Sequence, residues 1–299
     1  MRIAQSLVLT AGTLSEAGIP DASLEAEVLL RHVLGLDRAG FWASIQQRLP
    51  TSTEDRLHDL VDRRTGSEPL AYITGHREFY GLDFFVDSSV LIPRQETELL
   101  VDRALDFCST RGPEARPRIA DVGTGSGAIA VAIARHAPNA TLYATDLSPS
   151  ALAMADVNRH RHGVAHRVHL FEGDLLDALP CPAVDLVVSN PPYIRTDDIP
   201  RLAPEVRREP RSSLDGGADG LYVMRRLLSQ AHDYVRPGGR VLLEVSPEQL
   251  DAVRDAATRL LPGAQVSFHR DLLGLPRVVE VQFEGAARNR VSPQTGASA

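Results

Sequence analysis

Four consecutive residues carry the most specific chemistry in this chain: Asn190-Pro191-Pro192-Tyr193. They follow Val184-Asp185-Leu186-Val187-Val188, a short β-branched run that reads as a buried parallel strand. Two prolines cannot continue a hydrogen-bonded ladder, so the strand must stop there. A residue before proline is held extended. The Asn190 amide is therefore displayed at the carboxyl end of a strand, where open α/β sheets bind ligands. Its side-chain carbonyl and the backbone carbonyl of Pro191 can accept two N–H hydrogens, and Tyr193 can stack on a flat group. A strand-ending turn with a buried aromatic is the plainer alternative.

A second cluster lies upstream. Arg118 to Val122 reads as a strand running into Asp121-Val122-Gly123-Thr124-Gly125-Ser126-Gly127-Ala128. Glycines there let the backbone turn sharply and let a ligand approach the start of the helix expected over 128–136. By itself the loop is ambiguous, because Gly123, Gly125 and Ala128 also satisfy a dinucleotide fingerprint with Asp146 at a suitable distance. Asp146 ends the next strand, 141–145, and can take both hydroxyls of a ribose, or simply cap the following helix. Gly173-Asp174-Leu175 ends a third strand, 167–171.

The composition bounds what these clusters serve. The chain has 299 residues, 24% charged and 43% hydrophobic, with a net charge of −7. That balance argues against a surface built to coat nucleic acid and leaves a basic protein partner open. All 32 cationic side chains are arginine, which removes phosphate-loop and Schiff-base lysines. Two cysteines, Cys108 and Cys181, offer neither a disulfide framework nor a metal cluster, so no metal is expected. No apolar stretch reaches membrane-spanning length, and the first residues lack a signal-peptide layout. The expectation is a cytoplasmic protein with no membrane partner.

Four regions are expected to position the clusters. Residues 1–75 carry apolar residues at helical spacing and no chemical cluster, which points to a small helical domain for recognition. Thr51-Ser52-Thr53-Glu54 fits a capping box opening one of its helices. Residues 76–93 switch to period two and read as a β-hairpin turning at Gly81, a connector rich in phenylalanine. Residues 94–284 alternate strands and helices, opening with a helix whose Glu96 and Glu98 suit its dipole or line the cleft. Two closing strands without a helix between them imply an antiparallel last strand. The loop 195–219 is long enough to be a lid or substrate wall, with Gly216, Gly217 and Gly220 as hinges. Residues 285–299 are expected to be a disordered tail.

Taken together, the glycine loop, Asp146 and Asn190–Tyr193 resemble class I S-adenosylmethionine-dependent methyltransferases of planar nitrogens. Glu25–Leu30, Pro69–Gly75, Leu91–Glu98 and Glu209-Pro210 narrow the resemblance to the peptide chain release factor N5-glutamine methyltransferases, over about residues 20 to 284. It implies an α/β fold with a seven-stranded Rossmann-like sheet. It implies S-adenosyl-L-methionine held by Gly123, Thr124, Gly125, Ser126, Gly127, Asp146, Asp174, Leu175 and Asn190. It also implies a substrate amide held by Asn190, Pro191, Pro192 and Tyr193, with Asn190, Pro191 and Tyr193 as the catalytic set. The implied partners are class I release factors, methylated on the glutamine of their Gly-Gly-Gln motif. Gln95, Ser246 and Leu175 depart from the family's usual residues. An adenine-N6 methyltransferase on DNA or RNA shares the tetrapeptide but needs a basic surface. A nicotinamide dehydrogenase leaves Asn-Pro-Pro-Tyr without a purpose, and a non-catalytic binding protein would keep only the fold.

Overall fold

The computed structural model describes residues 1–180 and 183–285; Cys181 and residues 286–299 of the expected tail lie outside the described residues. The chain opens with helices α1 (Ile3–Glu16), α2 (Ala22–Leu34), α3 (Arg38–Ser44), α4 (Thr51–Thr65) and α5 (Leu70–Thr74). Leu14, Leu29, Leu30 and Phe41 form the centre of their shared core, fully removed from water. The short α3 has too little periodicity to announce itself; Asp37 caps it by accepting the Gly40 N–H at 2.7 Å. The expected capping box of α4 does not form. Pro50 takes the cap position, and the Thr53 hydroxyl turns back to donate to the Pro50 carbonyl at 2.6 Å.

Strands β1 (His76–Phe79) and β2 (Leu82–Phe85) form the antiparallel hairpin. Tyr80 and Gly81 both have positive φ, the two-residue turn whose twist matches its strands. Glu98, at the start of α6 (Glu98–Thr110), neither lines a cleft nor merely serves the helix dipole. It accepts the Tyr80 N–H at 2.8 Å, and the Tyr80 hydroxyl donates to Asp102 at 2.7 Å, so α6 holds the hairpin. Phe79 and Phe84 then pack into the core with Leu100 and Phe107.

Beyond α6 the chain alternates: β3 (Arg118–Val122), α7 (Ala128–His136), β4 (Thr141–Asp146), α8 (Pro149–Arg161), β5 (Val168–Glu172) and β6 (Val184–Ser189). Then come α9 (Tyr222–Tyr234), β7 (Val235–Glu244), α10 (Leu250–Leu260), β8 (Gln265–Arg270) and β9 (Pro276–Gln282). The seven strands of the main sheet lie in the order β5-β4-β3-β6-β7-β9-β8. β9 alone runs against its neighbours, as its hairpin with β8 requires. β7 starts earlier than its apolar run: Pro237-Gly238-Gly239 forms an irregularity within the strand, where the register against β6 shifts.

The order reverses between β3 and β6, the switch point at which such sheets open a crevice. Every residue of β6 is buried. At its end the Ser189 hydroxyl donates to the Val122 carbonyl at 2.7 Å. That bond fastens the ends of β6 and β3 together, so Asn190 and Gly123 emerge side by side.

Candidate active site

The crevice at the switch point is walled by the glycine loop, the ends of β4, β5 and β6, the segment Ser89–Leu91, and Val223 and Arg226 of α9. Its glycine-loop wall is made of backbone. The N–H groups of Gly123 and Thr124 both reach the Thr145 carbonyl, at 2.9 and 3.0 Å, which folds the loop back onto β4. Gly125 has φ of +55°, a conformation in which side chains are strained. Its N–H donates to Asp146 Oδ2 at 2.9 Å, while Asp146 Oδ1 accepts the Ser148 N–H at 2.9 Å. The Asp146 carboxylate is thus fixed in place by backbone on both oxygens and still borders the crevice.

Beneath the loop lies Asp121, fully buried at the end of β3. Its Oδ2 accepts the Thr124 hydroxyl at 2.7 Å and the Ala130 N–H at 3.1 Å, standing in for the side-chain cap that Gly127 cannot give α7. Burial pushes its carboxyl up to about 7, against the pull of those two hydrogen bonds. Gly123 and Gly125 border the crevice, whereas Thr124 and Ser126 are buried and Gly127 packs against Ala155. The Ser126 carbonyl accepts from Asn158 at 2.8 Å, so Thr124, Ser126 and Gly127 shape the loop from behind.

Asp174 and Leu175 close the far end. Leu175 holds a positive φ of 53°, a strained conformation for a leucine that turns the chain at the crevice edge. Arg226 donates to Asp174 Oδ2, leaving Oδ1 buried and without a partner. A buried acceptor left unpaired is costly, which marks a place prepared for a donor.

Asn190, Pro191 and Pro192 border the crevice; Tyr193 does not. Its partly buried ring packs against the core on that side of the sheet. Its hydroxyl faces Glu244 at 3.4 Å. The backbone behind the tetrapeptide is clamped: Gln249 donates to the Tyr193 carbonyl at 2.9 Å, and Gly216 N donates to the Ile194 carbonyl at 2.7 Å. A Cβ on Gly216 would stand 2.8 Å from both the Pro192 carbonyl and Tyr193 Cα. That glycine is required by close approach, and the loop 195–219 is packed onto the site here rather than hinged away from it.

The sequence reading missed how Asn190 is held. Its Nδ2 donates to Thr97 Oγ1 at 3.1 Å, and the Thr97 hydroxyl donates to Glu244 Oε2 at 2.6 Å. Thr97 and Glu244 are both buried, and burial pushes the Glu244 carboxyl up to about 7, with the Thr97 hydrogen bond opposing. Among the described residues nothing bonds to Asn190 Oδ1 or to the Pro191 carbonyl, and both residues border the crevice. Ser89–Leu91 were also missed. They are held by the Tyr72 hydroxyl donating to the Val90 carbonyl at 2.6 Å, and by Glu209, which accepts the Ile92 N–H at 3.1 Å and pairs with Arg94. The helical bundle reaches the loop 195–219 as well, through Arg64, paired with Glu25 at 2.5 Å and Glu205 at 2.9 Å.

Residues 5–75 match the family model described as the PrmC N-terminal domain, and residues 97–214 match the methyltransferase small domain. The chain is 44% identical to a release factor glutamine methyltransferase of Moorella thermoacetica over 257 residues, covering 86% of this chain and 90% of that one. It is 46% identical to the release factor glutamine methyltransferase of Geobacter sulfurreducens over 245 residues, 82% and 84% of the two chains. A methyltransferase from Pyrococcus furiosus shares the fold, with a TM-score of 0.50 at 21% identity over 70% of this chain and 91% of that one. Among the described residues no helix is long and apolar enough to cross a membrane. With a seven-stranded class I sheet, an Asn-Pro-Pro-Tyr at its switch point and relatives this similar along most of their length, the chain belongs to the release factor glutamine methyltransferase family.

Proposed function

We propose that the chain methylates the side-chain amide nitrogen, N5, of the glutamine in the Gly-Gly-Gln motif of class I peptide chain release factors, with S-adenosyl-L-methionine as donor. The observation that carries this reading is the pair of open acceptors, Asn190 Oδ1 and the Pro191 carbonyl, beside the glycine loop. A primary amide has two N–H hydrogens, and two acceptors fix its plane.

The residues of the crevice fit the donor. The unpartnered buried Oδ1 of Asp174 suits an adenine amino group next to Leu175. Asp146 suits the ribose hydroxyls, and the bare backbone of Gly123 and Gly125 leaves room between them and Asn190. When bound, S-adenosyl-L-methionine supplies an electrophilic methyl group on a sulfonium centre.

The chain's own residues supply orientation and charge stabilisation. An amide nitrogen is a weak nucleophile because its lone pair is delocalised into the carbonyl. Asn190 and Pro191 accept its hydrogens more strongly as positive charge grows on nitrogen, so they favour the transition state over the ground state. Neither acceptor is a strong base, and the contribution is geometric and electrostatic. Tyr193 acts from behind, through Glu244.

The test is incubation with labelled S-adenosyl-L-methionine and, separately, release factor, DNA and RNA. Label is expected in the release factor alone. Label in DNA or RNA at a comparable rate would replace this reading with adenine methylation.

A further inference from the structure

Thr97 and Glu244 touch neither of the open acceptors, yet they hold the residue that provides one of them. An amide side chain has two ends of nearly equal size and opposite hydrogen-bonding sense. Asn190 serves a substrate NH2 only with Oδ1 toward the crevice; reversed, it would present N–H to N–H. Something must therefore distinguish the two ends.

We propose that the buried Thr97–Glu244 pair is the positioning device that fixes which end of the Asn190 amide faces the substrate. This rests on the reading of Asn190 as the substrate-amide acceptor. The argument is proton counting. A threonine hydroxyl has one hydrogen, and Thr97 spends it on Glu244 Oε2 at 2.6 Å. Toward Asn190 the Thr97 oxygen is then an acceptor only. Nδ2, at 3.1 Å, is the end that can meet it, and Oδ1 is left without a partner among the described residues. Glu244 is itself held by the Tyr193 hydroxyl at 3.4 Å, which gives the aromatic of the tetrapeptide a purpose inside the core.

Glu244 is faced by Thr97 and Glu96 from the turn before α6, by Tyr193 after β6 and by Arg277 of β9. Arg277 is already paired with Asp271 at 3.1 Å. Burial outweighs these partners and leaves the carboxyl titrating near neutrality. Once protonated, Glu244 no longer demands the Thr97 hydrogen. The hydroxyl can then donate to Asn190 and reward the reversed amide.

The experiment compares Thr97→Val, which keeps the shape and removes the hydroxyl, with Thr97→Ser, which restores it. Each is assayed for kcat, for the release factor KM, for S-adenosyl-L-methionine affinity by calorimetry, and for the pH profile of kcat. Thr97→Val is expected to lower kcat by about 10- to 100-fold, the scale on which misplacement of a positioned group acts. Cofactor affinity should stay within about threefold, and Thr97→Ser should recover most of kcat. In wild type kcat should rise with pH through about 7 as Glu244 ionises, and in Thr97→Val that rise should disappear. If Thr97→Val is too unstable to assay, Glu244→Met reads the same device, because it removes the acceptor that takes the Thr97 hydrogen and frees that hydrogen for Asn190. Its kcat should be low at every pH.

Full kcat in Thr97→Val or Glu244→Met would overturn the proposal, as would equal losses of kcat and cofactor affinity that Thr97→Ser fails to repair. Asn190→Ala separates the two levels. If it is inactive while Thr97→Val is normal, only the positioning device is wrong; if it too is normal, the reading of Asn190 itself is wrong.

Discussion

The two ends of the crevice are built in opposite ways. At the glycine-loop end, ligating groups come from backbone and from an acid at a strand end, tied to residues close in sequence or on the next strand. Gly125 bonds Asp146, and Asp146 bonds Ser148. At the amide end, the chain Asn190–Thr97–Glu244–Tyr193 draws side chains from three distant segments; Thr97 and Glu244 are 147 residues apart. A backbone site can be made by one loop and tolerates change in the side chains behind it. A side-chain site depends on the whole fold arriving in register, and one lost proton acceptor changes its sense.

The sharpest way to break this division is Asn190→Ala. It should lower kcat by about 100-fold or more while S-adenosyl-L-methionine affinity, measured by calorimetry, stays near wild type. Loss of both together would show that the two ends are not separable. At the other end, Asp146→Ala removes a carboxylate fixed by two N–H groups. The cofactor dissociation constant should rise by about 10- to 100-fold, the scale of a charge-assisted hydrogen bond, with kcat at saturation much less affected. Unchanged affinity would remove Asp146 from the ribose site, and tighter binding of a nicotinamide cofactor would favour the dehydrogenase fingerprint.

The same division was decisive for what could be read without coordinates. That Gly123, Gly125, Asp146 and Asp174 border a crevice was legible because consecutive residues at strand ends announce a loop and an acid. Asn190 was legible because prolines fix where its strand stops. Thr97 was hidden between Glu96 and Glu98, the charged residues that draw notice, and Glu244 passes for the last residue of an apolar strand. Their roles arise from a meeting between β7 and the turn before α6 that no local pattern encodes. Tyr193 was read as facing a ligand because the motif lies at a strand end, but the fold turns its ring inward. The alternating strands and helices, the hairpin turn at Gly81 and the antiparallel β9 were plain from periodicity and breakers. The absent capping box at Thr51 and the irregularity inside β7 were not, because proline and glycine interrupt a pattern without saying how.

A smaller effect probes the floor of the backbone-built end. Asp121 keeps its proton to about pH 7 in the folded chain, against an ordinary value of 3.8. Between those values the native state binds more protons than the unfolded one, so this group's contribution to stability is present below about pH 4 and is lost as pH rises to about 7. Urea melts at pH 5 and pH 8 should show a smaller fall in stability for Asp121→Asn than for wild type. An identical fall would mean that Asp121 is ionised throughout.

The smallest expected effect concerns the support that the helical bundle gives the crevice. Tyr72 is packed with Val86, Val90 and Ile92, and its hydroxyl holds Val90. Tyr72→Phe should cost about 1 kcal/mol by chemical denaturation, with at most a few-fold loss of cofactor affinity. This link also bears on the proposed division between a recognition domain over 1–75 and a methyltransferase domain over 94–284. A chain starting at His76 would keep Ser89–Leu91 but lose the Tyr72 support behind them, so at most a few-fold weaker cofactor binding is expected of it.

The most direct measurement locates the methyl group. Release factor is incubated with S-adenosyl-L-methionine and either wild-type enzyme or Asn190→Ala, then mapped by tandem mass spectrometry. The account expects a single added methyl on the side-chain nitrogen of the Gly-Gly-Gln glutamine with wild type, and almost none with Asn190→Ala despite normal cofactor binding. A methyl on any other residue, or equal labelling by Asn190→Ala, would contradict it.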